Sequence, residues 1–139
     1  MRVLSKKNKY YIPKERYLEL KHFCLQYEDW QEAYRELEDV GLKSRYILTP
    51  SKNKFTEEYS DVERIAFSRY YYAQKIDLVQ NAAMLADREL YQWILRGVTE
   101  ARDYNNLRLV LNMPCGKNTY YDRYRKFFYI LDKTQTRNL

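Results

Sequence analysis

The sequence predicts an all-α fold that consists of an N-terminal helical hairpin, a long central helix and a C-terminal unit of three helices. The first observation is that 139 residues contain only three Gly and three Pro, while Leu, Glu, Lys, Arg and Tyr are abundant. The second is that apolar residues recur at steps of three and four along most of the chain. A chain of this length is expected to form one compact domain with a moderate core.

Residues 1–41 are predicted to form a basic arm followed by a helical hairpin. Pro13 suits the first position of a helix. Asp29 and Glu32 have the spacing of a capping box, which favours either a second helix or a kink at that point. Gly41 is expected to end the hairpin. The apolar positions are spaced as one buried helix face requires: Leu20, Phe23, Tyr27, Trp30, Tyr34 and Leu37.

A linker and a long helix are predicted next. Residues 42–59 include Pro50 and show no sustained periodicity, so they are interpreted as a linker. Ser60 and Glu63 then form a capping box, which predicts a helix over residues 60–86.

The apolar seam of this long helix alternates steps of three and four, which is also the spacing of a coiled coil. One interpretation is that the helix packs on the N-terminal hairpin. The other is that it pairs with a second copy of the chain, in which case Arg69 would lie close to its own copy. The homodimer would use the apolar positions of the seam, which are Val62, Ile65, Tyr72, Ile76, Val79 and Ala83.

Residues 87–139 are predicted to form a trihelical unit. Asp87 is a candidate cap for its first helix, and Gly97 is the expected end of that helix. Asp103 is a candidate cap for a short second helix over residues 104–112. The expected apolar face of this second helix comprises Leu107, Val110 and Leu111.

The third helix of this unit, predicted over residues 117–132, follows a sharp turn from Met113 to Gly116. Two helices across a turn of about four residues with Gly are typical of a helix-turn-helix unit, whose second helix lies in the DNA major groove. The alternative is a plain helical hairpin with a basic, solvated face. The expected buried face comprises Tyr120, Tyr124, Phe127, Phe128 and Leu131.

The other side of that helix carries the predicted DNA-binding residues. They are Lys117, Asn118, Tyr121, Asp122, Arg123, Arg125 and Lys126. Lys and Arg can donate to guanine, Asn can pair with adenine, and Asp can accept from cytosine. Arg123 and Lys126 are expected near the rim, where they would contact phosphates, and the others are expected to face base edges.

The segment Gly116-Lys-Asn-Thr-Tyr-Tyr-Asp-Arg-Tyr-Arg-Lys resembles the last helix of phage and prophage transcription regulators of the ArpU and RinA type. That helix often reads Ser-x-x-Thr-Tyr-Tyr followed by basic residues, and it is similar to the recognition helix of sigma factor region 4. Gly116 stands where the family usually has a capping Ser. The longer chain also resembles uncharacterised prophage proteins of Firmicutes. The resemblance implies double-stranded DNA binding by the C-terminal unit.

The charge distribution indicates an anionic partner. Residues 1–22 carry 7 basic and 2 acidic side chains, residues 96–139 carry 9 and 4, and the centre of the chain carries 9 and 13. Basic ends of this kind favour nucleic acid. Two Cys and one His supply neither a disulfide framework nor a zinc pattern, and the sequence has no phosphate-binding loop. We therefore expect no enzymatic activity, cofactor or metal. The absence of a membrane-spanning run predicts a cytoplasmic location in a bacterial host.

Three functional hypotheses follow. The leading one is a sequence-specific double-stranded DNA-binding protein of phage or prophage origin that regulates transcription. The alternative is a small phage-encoded inhibitor of a host nucleic-acid enzyme, of the anti-CRISPR type, whose partner is a host protein. The third is single-stranded nucleic-acid binding through some of the sixteen tyrosines, such as Tyr70 to Tyr72.

Overall fold

The computed structural model describes residues 6–47 and 52–137, and the side chains of residues 6–40 and 61–136. Within these ranges the regular secondary structure is entirely helical, which confirms the predicted all-α fold. Six helices follow each other along the chain: α1 (Lys14–Cys24), α2 (Tyr27–Ile47), α3 (Lys52–Ala86), α4 (Tyr91–Thr99), α5 (Tyr104–Leu109) and α6 (Lys117–Arg137).

The N-terminal segment contains two helices, as one of the two interpretations predicted. Helix α1 ends at Cys24 with Leu25 as its C-cap. The Leu25 backbone N–H donates to the Lys21 carbonyl, and the Gln26 N–H donates to the Phe23 carbonyl. Helix α2 begins at Tyr27, so the break lies before the expected capping box at Asp29.

Helical structure extends further into the centre of the chain than the sequence indicated. Helix α2 continues past Gly41 to Ile47, and α3 begins at Lys52, so the predicted linker over 42–59 is wrong where residues are described. Ser60 lies inside α3 and does not begin it. The physical reason is that one Gly inside a helix costs only about 1 kcal/mol, and the surrounding Leu, Lys, Arg and Glu favour the helix. Pro50 lies outside the described residues.

The chain divides into two compact units. Unit 1 comprises Met1–Tyr27 and Asp77–Leu139, and unit 2 comprises Glu28–Ile76. Unit 1 therefore contains α1, the end of α3 and all of α4, α5 and α6. Its buried apolar side chains include Leu20, Cys24, Val79, Ala83, Ile94, Leu107, Met113, Tyr120, Phe127, Phe128 and Leu131.

Unit 2 joins α2 to the first part of α3 through contacts between cations and aromatic rings. The Arg69 guanidinium lies 5.3 Å from the centre of the Tyr34 ring, and its Nη2 donates to Tyr34 Oη over 3.4 Å. Lys75 Nζ lies 5.4 Å from the centre of the Trp30 ring. Arg69, the basic interruption of the predicted seam, therefore packs against an aromatic ring of its own chain.

Part of the apolar seam of α3 is buried within the chain itself. Val79 and Ala83 are completely buried in unit 1. Val62 is exposed, whereas Ile65 and Tyr72 are half-buried. Val79 and Ala83 therefore cannot contribute to a subunit interface without opening the core, which is a correction to the set of residues expected for a homodimer.

Helix α4 begins and ends later than predicted, since it starts at Tyr91, after a turn, and not directly after Asp87. Asp87 Oδ1 accepts from the backbone N–H groups of Glu89 and Leu90, which caps the turn that leads into α4. Gly97 lies buried inside α4, and the helix continues to Thr99 before Ala101 adopts a left-handed conformation at φ 55°. The prediction that Gly97 ends the helix is wrong.

Helix α5 is shorter than predicted. Asp103 caps it, since its Oδ1 accepts from the Asn106 N–H over 2.8 Å, but the helix stops at Leu109. Asn112 then adopts a φ of 55°, and the Met113 N–H returns to the Leu107 carbonyl. Met113 is completely buried, whereas Val110, which was expected on the buried face, is exposed.

Candidate nucleic-acid interface

Helix α6 is held by one buried side, and this side is the one that the sequence predicted. Tyr120, Phe127, Phe128 and Leu131 are almost completely inaccessible to solvent. Tyr124 is half-buried, its ring centre lies 4.9 Å from that of Phe128, and its Oη lies 2.8 Å from Tyr17 Oη on α1. This anchoring fixes which side chains of α6 can reach a partner.

The connection between α5 and α6 runs from Val110 to Gly116, longer than the expected turn of about four residues. Three side chains donate to its backbone carbonyls. Trp93 Nε1 donates to Leu111 over 2.8 Å, Arg108 Nη1 to Met113 over 2.7 Å, and Tyr104 Oη to Cys115 over 3.0 Å. A connection braced in this way positions the start of α6 without a tight turn.

The first turn of α6 is open to solvent. Lys117 and Asn118, two of the predicted base-reading residues, are exposed, and so is Thr119. No hydrogen bond or ion pair engages Lys117 or Asn118 among the described residues. Both side chains are therefore available to a partner.

The other predicted base-reading residues are more constrained. The Tyr121 ring packs 5.1 Å from the Tyr120 ring and 5.9 Å from the Tyr124 ring, which turns it towards the aromatic cluster. Asp122 Oδ2 accepts from Arg123 over 3.1 Å. Arg125 is half-buried, and its Nε is inaccessible with no partner among the described side chains.

Arg123 joins α6 to the start of α4. Its Nε lies 3.1 Å from Asp87 Oδ2, while the other oxygen of Asp87 caps the turn before α4. The guanidinium is thus already paired with two carboxylates, those of Asp87 and Asp122. Lys126, the second residue expected to contact phosphate, is half-buried and forms no ion pair within the described part of the chain.

Two basic residues outside the predicted set of DNA-binding residues, Lys9 of the N-terminal arm and Lys133 of α6, contact aromatic rings at the second half of α6. The Tyr10 ring of the N-terminal arm packs 5.8 Å from the Tyr129 ring. Lys9 Nζ lies 5.0 Å from the Tyr10 ring centre, and Lys133 Nζ lies 5.3 Å from that of Tyr129. The sequence feature that indicates this arrangement is the spacing of Lys126, Tyr129 and Lys133. Steps of three and four residues place them on one side of the helix.

We call this side the outer face of α6. It is defined by Asn118, Asp122, Lys126, Tyr129 and Lys133. Its acidic member, Asp122, is paired with Arg123, and the neighbouring Asp132 is paired with Arg16 of α1 over 2.6 Å. The lysines of the outer face are therefore not paired with these two carboxylates.

Comparison of the chain with protein-family models, with curated proteins and with solved structures finds no match. The likeness to phage regulators of the ArpU and RinA type therefore stays a prediction from the C-terminal motif.

The remaining chemistry-bearing groups form no further cluster in the described residues. Within residues 6–47 and 52–137, no group of three or more His, Cys, Asp and Glu side chains could hold a metal ion. Burial raises the pKa of the Cys24 thiol and, more weakly, that of Cys115, so both thiols are protonated at neutral pH. In the same described part of the chain, none of the helices is long and apolar enough to span a bilayer.

Proposed function

We propose that the protein binds double-stranded DNA through the start and the outer face of α6, and that it acts as a transcription regulator of a phage or prophage. The observation that carries the proposal is the exposed, unpaired first turn of α6 with Lys117 and Asn118, continuous with the lysines of the outer face. The assignment to phage regulation depends on the resemblance of residues 116–126 to that class of regulators.

The dimensions of α6 suit a major groove. The helix has 21 residues and is therefore about 30 Å long. An α-helix fits the major groove of B-DNA, and side chains at its N-terminal end are the ones that usually reach base edges. Since α6 is anchored by its buried side, the exposed first turn is the part that can enter the groove.

The side chains divide into two roles by position. Lys117 and Asn118 are assigned to base edges, where Asn can pair bidentately with adenine and Lys can donate to guanine. Lys126, Lys133 and Lys9 are assigned to phosphates, which set affinity and register without reading the sequence. Arg123 is assigned to positioning α6, because Asp87 and Asp122 already occupy its guanidinium.

The test of the proposal first selects binding sites from a random duplex pool. Fluorescence anisotropy then measures the affinity for the selected site and for a scrambled site. Asn118→Ala should weaken binding to the selected site by about 1–3 kcal/mol and leave the scrambled site nearly unchanged. Lys126→Ala and Lys133→Ala should weaken both duplexes alike and lower the salt dependence by about one unit for each phosphate contact.

The result against the proposal is a pool from which no preferred duplex emerges. In that case binding of single-stranded DNA tests the tyrosine-stacking hypothesis. Tyr70 and Tyr71 are exposed and therefore accessible to bases, whereas Tyr120 is buried. If the protein binds neither double-stranded nor single-stranded DNA, the inhibitor hypothesis is favoured, since Phe67 and Tyr70 form an exposed aromatic surface on α3.

A further inference from the structure

A half-open pocket of about 170 Å³ lies in unit 1 among α1, the end of α4 and the first two turns of α6. An engineered protein cavity of about 150 Å³ holds one benzene molecule. The pocket therefore has room for a single six-membered ring. Its open side leaves space for a substituent that remains in contact with solvent.

Four tyrosines contribute to the wall of the pocket: Tyr17, Tyr120, Tyr121 and Tyr124. Their rings contact one another, with centres 5.1 Å apart for Tyr120 and Tyr121 and 6.5 Å apart for Tyr17 and Tyr124. A planar ring is a favourable guest for such a wall, because aromatic pairs at these distances gain more than the burial of apolar surface alone.

The hydroxyl groups of this wall are neutral donors. Burial raises the pKa of Tyr17, Tyr120 and Tyr124 above that of a free phenol, so all three are protonated at physiological pH. Tyr17 and Tyr124 satisfy each other across 2.8 Å. Tyr120 is buried, and its Oη has no partner among the described residues and lies against Gly97, which also lines the pocket. A buried O–H without a partner favours a ligand that brings an acceptor.

The charged groups at the pocket favour an anion. Lys21 and Arg102 both line it, and Lys21 has no ion pair within the described residues. Arg102 uses Nε on Glu100 and Nη1 on Asn106, so its Nη2 stays available. The opposing carboxylate, Asp103, is engaged in capping α5. Glu100 already pairs with Arg102 through Nε, so the cationic groups left for a ligand are the Lys21 ammonium and Arg102 Nη2, and the Asp103 carboxylate opposite them is hydrogen-bonded to α5.

We propose that this pocket binds a monocyclic aromatic carboxylate, with the ring among the tyrosines and the carboxylate at Lys21 and Arg102. The size of the pocket selects a single ring, the tyrosine wall selects an aromatic one, and the cations select an acid. The pocket uses Tyr120, Tyr121 and Tyr124 of α6, and the proposed function assigns none of these three to DNA, so this inference does not depend on the proposed DNA binding.

The test uses two probes of similar size that differ in charge, 4-hydroxybenzoate and 4-hydroxybenzamide. Isothermal titration calorimetry of the full chain should detect saturable binding of 4-hydroxybenzoate, and 4-hydroxybenzamide should bind at least about tenfold more weakly. Backbone amide shifts in NMR spectra should move at Gly97, Arg102 and Tyr121. Lys21→Gln should weaken 4-hydroxybenzoate binding by about tenfold, because it removes the charge and keeps most of the stem.

The matched control is Lys14→Gln, which removes an exposed lysine of the same helix outside the pocket. It should leave binding unchanged, and circular dichroism should find both variants folded because both lysines are exposed. The proposal is overturned if neither probe saturates below about 10 mM. It is also overturned if 4-hydroxybenzamide binds as tightly as the acid, if both Lys variants lose affinity equally, or if the shifted amides lie elsewhere.

Discussion

The hydroxyl of Tyr120 occupies the space that a Cβ atom on Gly97 would need. The same hypothetical Cβ would also lie 3.2 Å from Leu107 Cδ1, so three elements of the trihelical unit meet at this glycine. Gly97 is thus a residue of close approach inside α4 and has no role in ending the helix. This contact sets how near α6 can lie to α4.

Gly97→Ala should therefore destabilise the protein by about 1–3 kcal/mol, since a methyl group is forced into a packed core. Urea denaturation followed by circular dichroism measures the change. Gly116→Ala is the control, because no atom lies within 4 Å of its added Cβ and its φ is not positive. Adding Tyr120→Phe to Gly97→Ala should recover part of the loss, and no recovery would mean that the hydroxyl is not the obstacle.

The Tyr17 and Tyr124 hydroxyl pair makes stability sensitive to alkali. Burial raises the pKa of both phenols in the folded state above the value of about 10 in the unfolded chain. The unfolded state consequently loses its protons first, so the contribution is complete below pH 10 and is lost as the pH rises further. The melting temperature should fall steeply above pH 10.

Tyr124→Phe should lower the free energy of unfolding at pH 7 by about 1 kcal/mol, the net value of one hydrogen bond. It should also flatten the alkaline decline, because one buried titrating group is gone. Tyr124→Ala should cost about 3 kcal/mol through the cavity that it leaves. If the melting temperature of the wild-type protein is the same at pH 9 and above pH 10, the hydroxyls of Tyr17 and Tyr124 are not buried.

Asp87 performs two functions with its two oxygens, and two substitutions separate them. Asp87→Asn keeps an acceptor for the Glu89 and Leu90 N–H groups and loses the ion pair with Arg123, so it should cost less than about 1 kcal/mol. Asp87→Ala loses the cap as well and should cost an additional 0.5–2 kcal/mol, roughly. Thermal melts of the two variants and of Arg123→Ala measure these differences. Equal losses in all three would show that the cap contributes nothing.

The two ends of the α3 seam should respond differently to truncation. Val79→Ala should cost about 1–2 kcal/mol because Val79 is completely buried, whereas Val62→Ala should change stability by less than about 0.5 kcal/mol. Chemical denaturation at two protein concentrations gives both values and detects association. A Val62→Ala variant that is destabilised at high but not at low protein concentration would indicate that the seam pairs with a second copy, because association stabilises the protein only where it is populated.

The sequence by itself determined the helical class, the buried side of α6 and the cap of α5. Tyr120, Phe127, Phe128 and Leu131 repeat at helical spacing, and a helix of that composition has only one side that can be buried. Asp103 caps α5 because its carboxylate needs only the N–H three residues later. Such features depend on neighbours within one or two turns, so the pattern of residues contains them.

Only the tertiary structure decided the functions of Gly97, Arg123 and Met113. Gly97 reads locally as a helix end, but its partner, Tyr120, lies 23 positions further along the chain. In the sequence alone Arg123 looks like an unpaired cation, but in the structure it pairs with Asp87. Helix α5 ends at Leu109, and beyond it Val110 is exposed while Met113 is buried. These outcomes depend on which residues distant in sequence become neighbours, and one-dimensional periodicity does not encode that choice.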